Sequence, residues 1–259
     1  EKNDAKSVSS DIEMAIINMV CDKIKHYIKV LGPKNNVYIA FDGVAPIAKL
    51  EQQKNRRYKS WLEKDLHSKL GIATSCIFDT VAITPGTEFM KKLNMNIKKY
   101  FNTYKYKYNV NDIIVSGSDE KGEGEHKFMP LVRNLVGSND NVVIFSPDAD
   151  MIVLAALSNK NNIYILKTPD KKQDPDLYNR YGKEKFLYLS IDIYKNHLIE
   201  DLGEEFGDKL DKINLIMDFV FLTFLCGNDF VLPMQYLKIS TNAVKMPIAA
   251  PATHNNMIL

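Results

Sequence analysis

The sequence predicts an α/β fold with a mostly parallel central sheet flanked by helices on both faces. Segments with strand character alternate along the chain with segments of helical periodicity, as in repeated β-α-β units. The strand segments are apolar throughout and do not alternate between apolar and polar residues, which indicates burial on both faces. In sheets of this kind, ligands bind at the carboxyl ends of the strands.

The first half of the chain supplies three helices and two strands. Helices are predicted where apolar residues recur at helical spacing and where end signals occur, such as Gly32-Pro33 or the start at Thr84-Pro85. Strands are predicted from short runs of β-branched and aromatic residues. In order, these patterns give a helix over 10–31, a strand over 37–42, a helix over 46–66, a helix from Thr84 to about residue 107, and a strand over 112–117.

The second half continues the alternation. Pro130 lies inside a segment with helical periodicity, where a proline removes one backbone hydrogen bond. The predicted elements are a helix over 122–136, a strand that begins at 141 and exits by 150, a helix over 151–157, a strand over 162–167, a loop over 168–185, a strand turning into a helix over 188–202, and a helix over 211–227. We expect one domain over 1–245 and an irregular tail over 246–259.

Composition excludes several classes of protein. The chain has 259 residues, 45% of them hydrophobic, which is enough to bury a core, and no apolar run is long enough to span a membrane. Its three cysteines form no metal-binding pair, so we expect buried free thiols. The net charge of +2 is too small to indicate a nucleic-acid binder without clustering of charge. No signal-peptide pattern is visible, which predicts an intracellular protein of the cytoplasm or nucleus.

Acidic residues gather where the predicted strands and the last helix end. Carboxylates that are crowded together repel one another unless a cation neutralises them. Hard divalent ions prefer oxygen ligands, so the pattern predicts two Mg²⁺ or Mn²⁺ ions that support displacement at phosphorus. The alternatives to a metal site are structural. Each aspartate could cap a helix, and "GEGEH" could form a turn with His126 at the surface. The candidate ligands are Asp42, Glu123, Glu125, Asp148, Asp150 and Asp229.

A cationic stripe begins close to Asp42. Lysine and arginine suit phosphate oxygens, and glutamine adds a neutral donor. The stripe therefore predicts a pocket for a terminal 5′-monophosphate, which would make a nuclease an exonuclease. The alternative is a solvated helix face. The stripe is formed by Lys49, Gln53, Arg56 and Arg57, while Tyr58, Trp61 and Leu62 are predicted to pack on the core.

Four blocks of the sequence resemble the signature blocks of the Xrn family of 5′→3′ exoribonucleases. They are "DGVAPIAKLEQQKNRRYKS", "GEGEHK", "PDADMIVLAAL" and "DFVFLTFLCGNDFVLP". The resemblance implies a PIN/FEN-like, Rossmann-like nuclease core that degrades single-stranded RNA with a 5′-monophosphate to mononucleotides, using Mg²⁺ or Mn²⁺. It also implies that the six acids above are catalytic metal ligands and that the cationic stripe binds the 5′-phosphate.

The sequence departs from the family pattern at three places. Ile47 and Lys54 stand where the family carries arginine, and nothing before Val37 resembles the family's first strand with its catalytic aspartate. The chain also stops soon after the last acidic block. Two other functions are therefore weighed: an inactive Xrn-like remnant serving as an RNA-binding or structural assembly component, and a flap-type DNA nuclease.

Overall fold

The structure is a computed structural model, and it divides into two compact units, Glu1–Phe128 and Met129–Leu259. It describes residues 2–72, 78–135, 137, 139–146, 148, 150–172, 175–182, 185–206, 212–227, 231 and 234. Asp229, Cys76 and the predicted tail over 246–259 lie outside these residues. The predicted domain over 1–245 stays a prediction.

The first unit contains three helices, two strands and the beginning of a fourth helix within its described residues. Short 3₁₀ turns at Thr80–Ala82 and Lys105–Tyr108 flank the third helix. The elements are α1 (Lys2–Leu31), β1 (Asn36–Ala40), α2 (Ile47–Lys69), α3 (Glu88–Tyr104), β2 (Asp112–Ser116) and α4 (Gly124–Leu135). Every element predicted in this half is confirmed; α1 begins eight residues earlier than predicted, and the other bounds shift by at most four residues.

Strands β1 and β2 pair in parallel, from Asn36 opposite Asp112 to Ala40 opposite Ser116. The Phe41 N–H donates to the Ser116 carbonyl at 2.9 Å and extends the pairing by one residue. Because the strands are parallel, the segments that follow β1 and β2 leave the sheet at the same edge. At this edge the sequence predicts that acidic residues meet.

Helices α1 and α3 supply most of the core beside this sheet. Ile97 and Phe101 are fully buried, and burying such side chains stabilises a fold by about 1.5–3 kcal/mol each. Cys21 is a buried free thiol, as predicted, and desolvation raises its pKa. The core residues are Ile17, Cys21, Ile28, Phe89, Met90, Leu93, Ile97, Phe101 and Ile113.

The second unit contains a mixed sheet and four further helices within its described residues. Its elements are β3 (Val142–Phe145), α5 (Asp150–Ala156), β4 (Ile163–Lys167), α6 (Pro175–Tyr181), β5 (Leu187–Ser190), α7 (Ile191–Phe206) and α8 (Lys212–Leu225). β3 and β4 are parallel, whereas β4 and β5 are antiparallel. The predicted α/β class with mostly parallel strands is confirmed, and the strands form one small sheet in each unit.

Two local features differ from simple expectation. Helix α6 lies inside the predicted loop 168–185. It is short and polar, so its sequence has no apolar periodicity that would predict a helix. Its first residue, Pro175, is the only signal of a helix start. Helix α4 continues through Pro130. Among the helices that the structure describes, none is long and apolar enough to cross a membrane.

Candidate metal centre and the cationic helix

Two loops interlock at the edge where β1 and β2 end. They are residues 41–46 and 117–123, called the loop crossing below. Gly43 N–H donates to the Gly122 carbonyl at 2.9 Å, and Gly122 N–H donates to the Val44 carbonyl at 3.2 Å. These reciprocal backbone bonds fix the path of both loops, and each loop leads directly into a helix with candidate site residues.

Glycine is required at Gly43 of the loop crossing. A Cβ atom at this position would lie 1.7 Å from the backbone oxygen of Glu120, far inside contact distance. Gly122 has a φ of 94°, a left-handed conformation that other residues rarely adopt. The small residues of "DGVAP" and "EKGEG" therefore allow two backbones to touch.

Lys127 ties the two strand ends together. Its ammonium donates to the Phe41 carbonyl and to the Gly117 carbonyl, each at 2.7 Å. Desolvation lowers the pKa of Lys127, although the nearby Glu120 and Asp119 carboxylates act in the opposite direction. Lys127 thus uses its ammonium group to donate hydrogen bonds to backbone carbonyl oxygens at the ends of both strands.

We expect Lys127→Met to destabilise the fold by about 2 kcal/mol, because two carbonyls lose a charged donor. Urea denaturation measures this change. Lys121→Met is the matched control, since Lys121 is an exposed lysine in the loop directly before α4, and its effect should stay within about 0.5 kcal/mol. Equal stability of the two variants would contradict the role assigned to Lys127.

Helix α3 anchors the loop crossing from the other side. The buried Asn94 amide donates to the Ser118 hydroxyl at 2.9 Å, and its carbonyl accepts the Ser118 N–H at 3.1 Å. Lys98 forms an ion pair with Asp119 at 3.2 Å. A hydrogen bond from its own backbone N–H and the Lys98 ammonium lower the pKa of Asp119. The loop before Glu123 is therefore held at several points.

Asp42 lies two residues beyond β1 and reaches the beginning of α4. Its Oδ1 accepts the Gly124 N–H at 2.7 Å, which caps the helix. A Cβ at Gly124 would lie 3.3 Å from the same oxygen, so glycine permits the close approach. The capping alternative is thus realised on a helix distant in sequence. The same bond places Asp42 against the residue between Glu123 and Glu125.

Glu123, Glu125 and His126 form the one group of potential metal ligands among the described residues. One ligand atom from each of the three lies within 4.8 Å of the others. The Glu123 side chain is only 4% exposed, and His126 Nδ1 lies 3.8 Å from its Oε2. That buried Oε2 accepts no hydrogen bond from the described residues, which is costly for a carboxylate oxygen.

His126 was assigned no ligand role from the sequence. Its side chain is 46% exposed, which agrees with the alternative that places His126 at the surface. Nδ1 of His126 also lies 3.9 Å from Glu125 Oε1. The signal for this proximity is the spacing in "GEGEH", because residues three apart share a face once a helix begins near Gly124.

Lys49 pairs directly with Glu123. Its ammonium lies 2.8 Å from Glu123 Oε1, and the two side chains are 12% and 4% exposed. An ion pair this well buried is held strongly, since each charge lacks water to replace its partner. The structure thus joins the first member of the predicted phosphate stripe to the predicted metal centre.

The other members of the stripe lie further along α2. Gln53 and Arg57 are half-buried and Arg56 is exposed. Neither guanidinium forms an ion pair or hydrogen bond with the rest of the described chain. The prediction that Tyr58 and Trp61 pack on the core is wrong: they are 61% and 56% exposed. Their rings contact each other instead, with centroids 5.7 Å apart.

Asp148 and Asp150 lie in the turn between β3 and α5, in the second unit. The Asp150 N–H donates to Asp148 Oδ1 at 3.1 Å, and the Asp148 N–H donates to the Ser146 hydroxyl at 3.2 Å. Asp148 therefore caps α5. Both acids follow a parallel strand, as the sequence predicted.

The comparison with known families decides the family of this chain. The family model described as "XRN 5'-3' exonuclease N-terminus" matches residues 1–169, more than half of the chain. The chain belongs to the Xrn 5′-3′ exonuclease family. The resemblance seen in its four sequence blocks is confirmed.

Xrn relatives of similar sequence come from fungi and animals. A protein named 5′-3′ exoribonuclease 1 from Homo sapiens is 32% identical over 247 residues, covering 86% of this chain and 14% of the relative. Its namesake from Schizosaccharomyces pombe is 30% identical, covering 95% of this chain and 20% of the relative. The one from Saccharomyces cerevisiae is 28% identical, covering 89% and 16%. The chain thus spans a fifth or less of the length of these curated relatives.

Proposed function

We propose that this Xrn-family chain is the catalytic region of a metal-dependent 5′→3′ exoribonuclease. Its substrate would be single-stranded RNA with a 5′-monophosphate, and its products mononucleotides. One observation carries the proposal: a buried glutamate oxygen that accepts no hydrogen bond from the residues the structure describes lies beside a second glutamate and a histidine, near the first turns of a cationic helix. We expect it to act inside the cell, in the cytoplasm or nucleus.

The residues of the first unit fit a divalent cation. Three ligand atoms within 4.8 Å of one another match the reach of a single ion. Glu123 Oε2, buried and without a hydrogen-bond donor among the described residues, would gain a partner. The oxygen-rich set suits Mg²⁺ or Mn²⁺, and one imidazole favours Mn²⁺ of the two. Asp42, fixed against Gly124, offers a further oxygen.

The remaining acids complete the proposed ligand set. Asp148 and Asp150 end a parallel strand in the second unit, and Asp229 lies outside the described residues. On the strength of their sequence blocks, we propose that these three acids are also metal ligands. Bound ions would supply a Lewis acid that activates water and neutralises charge developing at phosphorus.

The chain's own residues bind and orient the RNA. Arg56 and Arg57 extend from α2 with forked guanidinium groups that match phosphate oxygens, and Gln53 lies between them and Lys49. A 5′-phosphate held on this helix would place the first internucleotide linkage toward the carboxylates. Holding the reacting phosphate in this way supplies part of the catalysis through orientation alone.

The test compares matched single-stranded RNAs that carry a 5′-monophosphate or a 5′-hydroxyl, with Mg²⁺, with Mn²⁺ and with EDTA. We expect metal-dependent release of mononucleotides from the 5′ end, with at least a tenfold preference for the monophosphate, or about 1.4 kcal/mol. Equal decay of both RNAs would contradict the role of the cationic helix. If neither RNA decays, the inactive remnant is favoured. If the protein cuts flap DNA and neither RNA, the DNA nuclease is favoured.

A further inference from the structure

Lys49 stands between the two halves of the proposed site. It belongs by sequence to the cationic stripe that would hold the 5′-phosphate, yet its ammonium lies 2.8 Å from Glu123 Oε1. Both side chains are at least 88% buried, so neither charge has much access to water. The second oxygen of the same carboxylate is the one that accepts no hydrogen bond within the described part of the chain.

A divalent ion and the Lys49 ammonium would compete for the Glu123 carboxylate. Both are cations, and both require that carboxylate as a counter-charge. At separations of a few ångströms in a poorly solvated site, like charges repel with appreciable energy. An ion on Glu123 therefore weakens the Lys49–Glu123 pair and favours a contact between the ammonium and a second anion. The nearest one expected on this helix is the 5′-phosphate.

We propose that Lys49 couples metal binding at Glu123 to recognition of the substrate's 5′-phosphate. Without metal, Lys49 neutralises Glu123 and contributes little to phosphate binding. With metal, its ammonium is released from Glu123 and binds phosphate. By linkage, the phosphate must raise metal affinity by the same factor as the metal raises phosphate affinity. This proposal rests on the proposed function, because it requires a 5′-phosphate on α2.

The experiment measures binding and not cleavage. The probes are Mn²⁺ alone and a short 2′-O-methyl RNA whose linkages are methylphosphonates, prepared with a 5′-phosphate or a 5′-hydroxyl. Such linkages resist hydrolysis and carry no charge, so the 5′ end is the only anion. Calorimetry on the whole chain gives each affinity with and without the other ligand. We expect Mn²⁺ to raise the affinity for the 5′-phosphorylated RNA about tenfold, and this RNA to raise the affinity for Mn²⁺ by the same factor, within the usual range of coupling.

Lys49→Met should abolish the coupling and should tighten Mn²⁺ binding. Removing a competing cation is expected to tighten Mn²⁺ binding without RNA by about tenfold. Lys49→Arg keeps a cation and should retain most of the coupling. Lys54→Met, which removes one charge from an exposed position of the same helix, is the matched control and should leave both the Mn²⁺ affinity and the coupling unchanged.

Glu123→Gln supplies an independent check if Lys49→Met folds poorly. The neutral amide cannot hold the ammonium as tightly, so this variant should bind the 5′-phosphate about tenfold more strongly than the parent protein in the absence of metal. A glutamate that only supports the fold would give weaker binding. A gain of phosphate affinity on loss of a site carboxylate is thus specific to the proposed competition.

Three outcomes would overturn the inference, and they separate it from the proposed function. Coupling that persists in Lys49→Met would mean that the ion contacts the phosphate directly. A 5′-phosphate preference that is equal with and without Mn²⁺ would show recognition without coupling. If the parent protein prefers neither 5′ end under any condition, the proposed function itself fails, and the coupling fails with it.

Discussion

Glu125→Gln is expected to lower metal-supported cleavage of 5′-phosphorylated RNA by at least about a hundredfold while the chain stays folded. Glu125 is one of three ligand-bearing residues whose atoms lie within 4.8 Å of one another. Loss of a ligand charge weakens both the ion's binding and its stabilisation of the transition state, and about 1.4 kcal/mol corresponds to each tenfold loss of rate. Glu125 is a cleaner target than Glu123 because replacing Glu123 would also remove the ion pair with Lys49.

The effect on stability should be small, because two contributions oppose each other. Glu125 lies in the first turn of α4, where a negative charge is favourable by about 0.3–1 kcal/mol. The same charge repels Glu123, so its removal also relieves strain between carboxylates. We expect a change in the free energy of unfolding below about 1 kcal/mol, measured by urea denaturation alongside the kinetics.

Glu120→Gln is the matched control for this experiment. Glu120 lies in the loop directly before α4 but outside the ligand group: its carboxylate accepts the Ser116 hydroxyl at 2.5 Å and lies 3.6 Å from Lys98. Its variant should keep cleavage within a few-fold of the parent protein. If Glu125→Gln retained full activity and unchanged Mn²⁺ dependence, Glu125 would not be a ligand.

Apart from α6, the sequence was sufficient to predict the order of the helices and strands, and the edge at which Asp42 and the loop before Glu123 meet. Uniformly apolar strands such as 112–117 and helices with clear end signals are local patterns, and local patterns survive in the fold. The parallel pairing of β1 with β2 then brings Asp42 and the loop before Glu123 to one edge. No detailed contact is needed for that conclusion.

The contacts inside the site could not be predicted in the same way. Lys49 and Glu123 lie 74 positions apart along the printed sequence, and their pairing depends on how the loop crossing folds. Lys127 was expected only as part of a motif, yet it binds two carbonyls. Tyr58 and Trp61 have the helical spacing of core residues but are exposed, because spacing shows which residues share a face and not what covers it.

The second large effect is expected from Gly43→Ala. The new methyl group would meet the Glu120 carbonyl oxygen at 1.7 Å, so one backbone must move by more than an ångström. Neither can do so alone, because Gly43 donates a backbone bond to Gly122, Gly122 donates one to Val44, and Lys127 holds both strand ends. We expect destabilisation of about 3 kcal/mol or more, at the upper end for overpacking, and loss of Mn²⁺ binding.

Gly86→Ala separates this clash from the general cost of replacing a glycine. Gly86 has a φ of 91°, and a Cβ there would meet no atom within 4 Å, so its variant should lose only about 1–2 kcal/mol through backbone strain. It should bind Mn²⁺ normally. Urea denaturation and Mn²⁺ calorimetry on both variants decide the matter. If Gly43→Ala were no less stable than Gly86→Ala and still bound Mn²⁺, the loop crossing would not position the carboxylates. The metal centre would then depend on α4 alone.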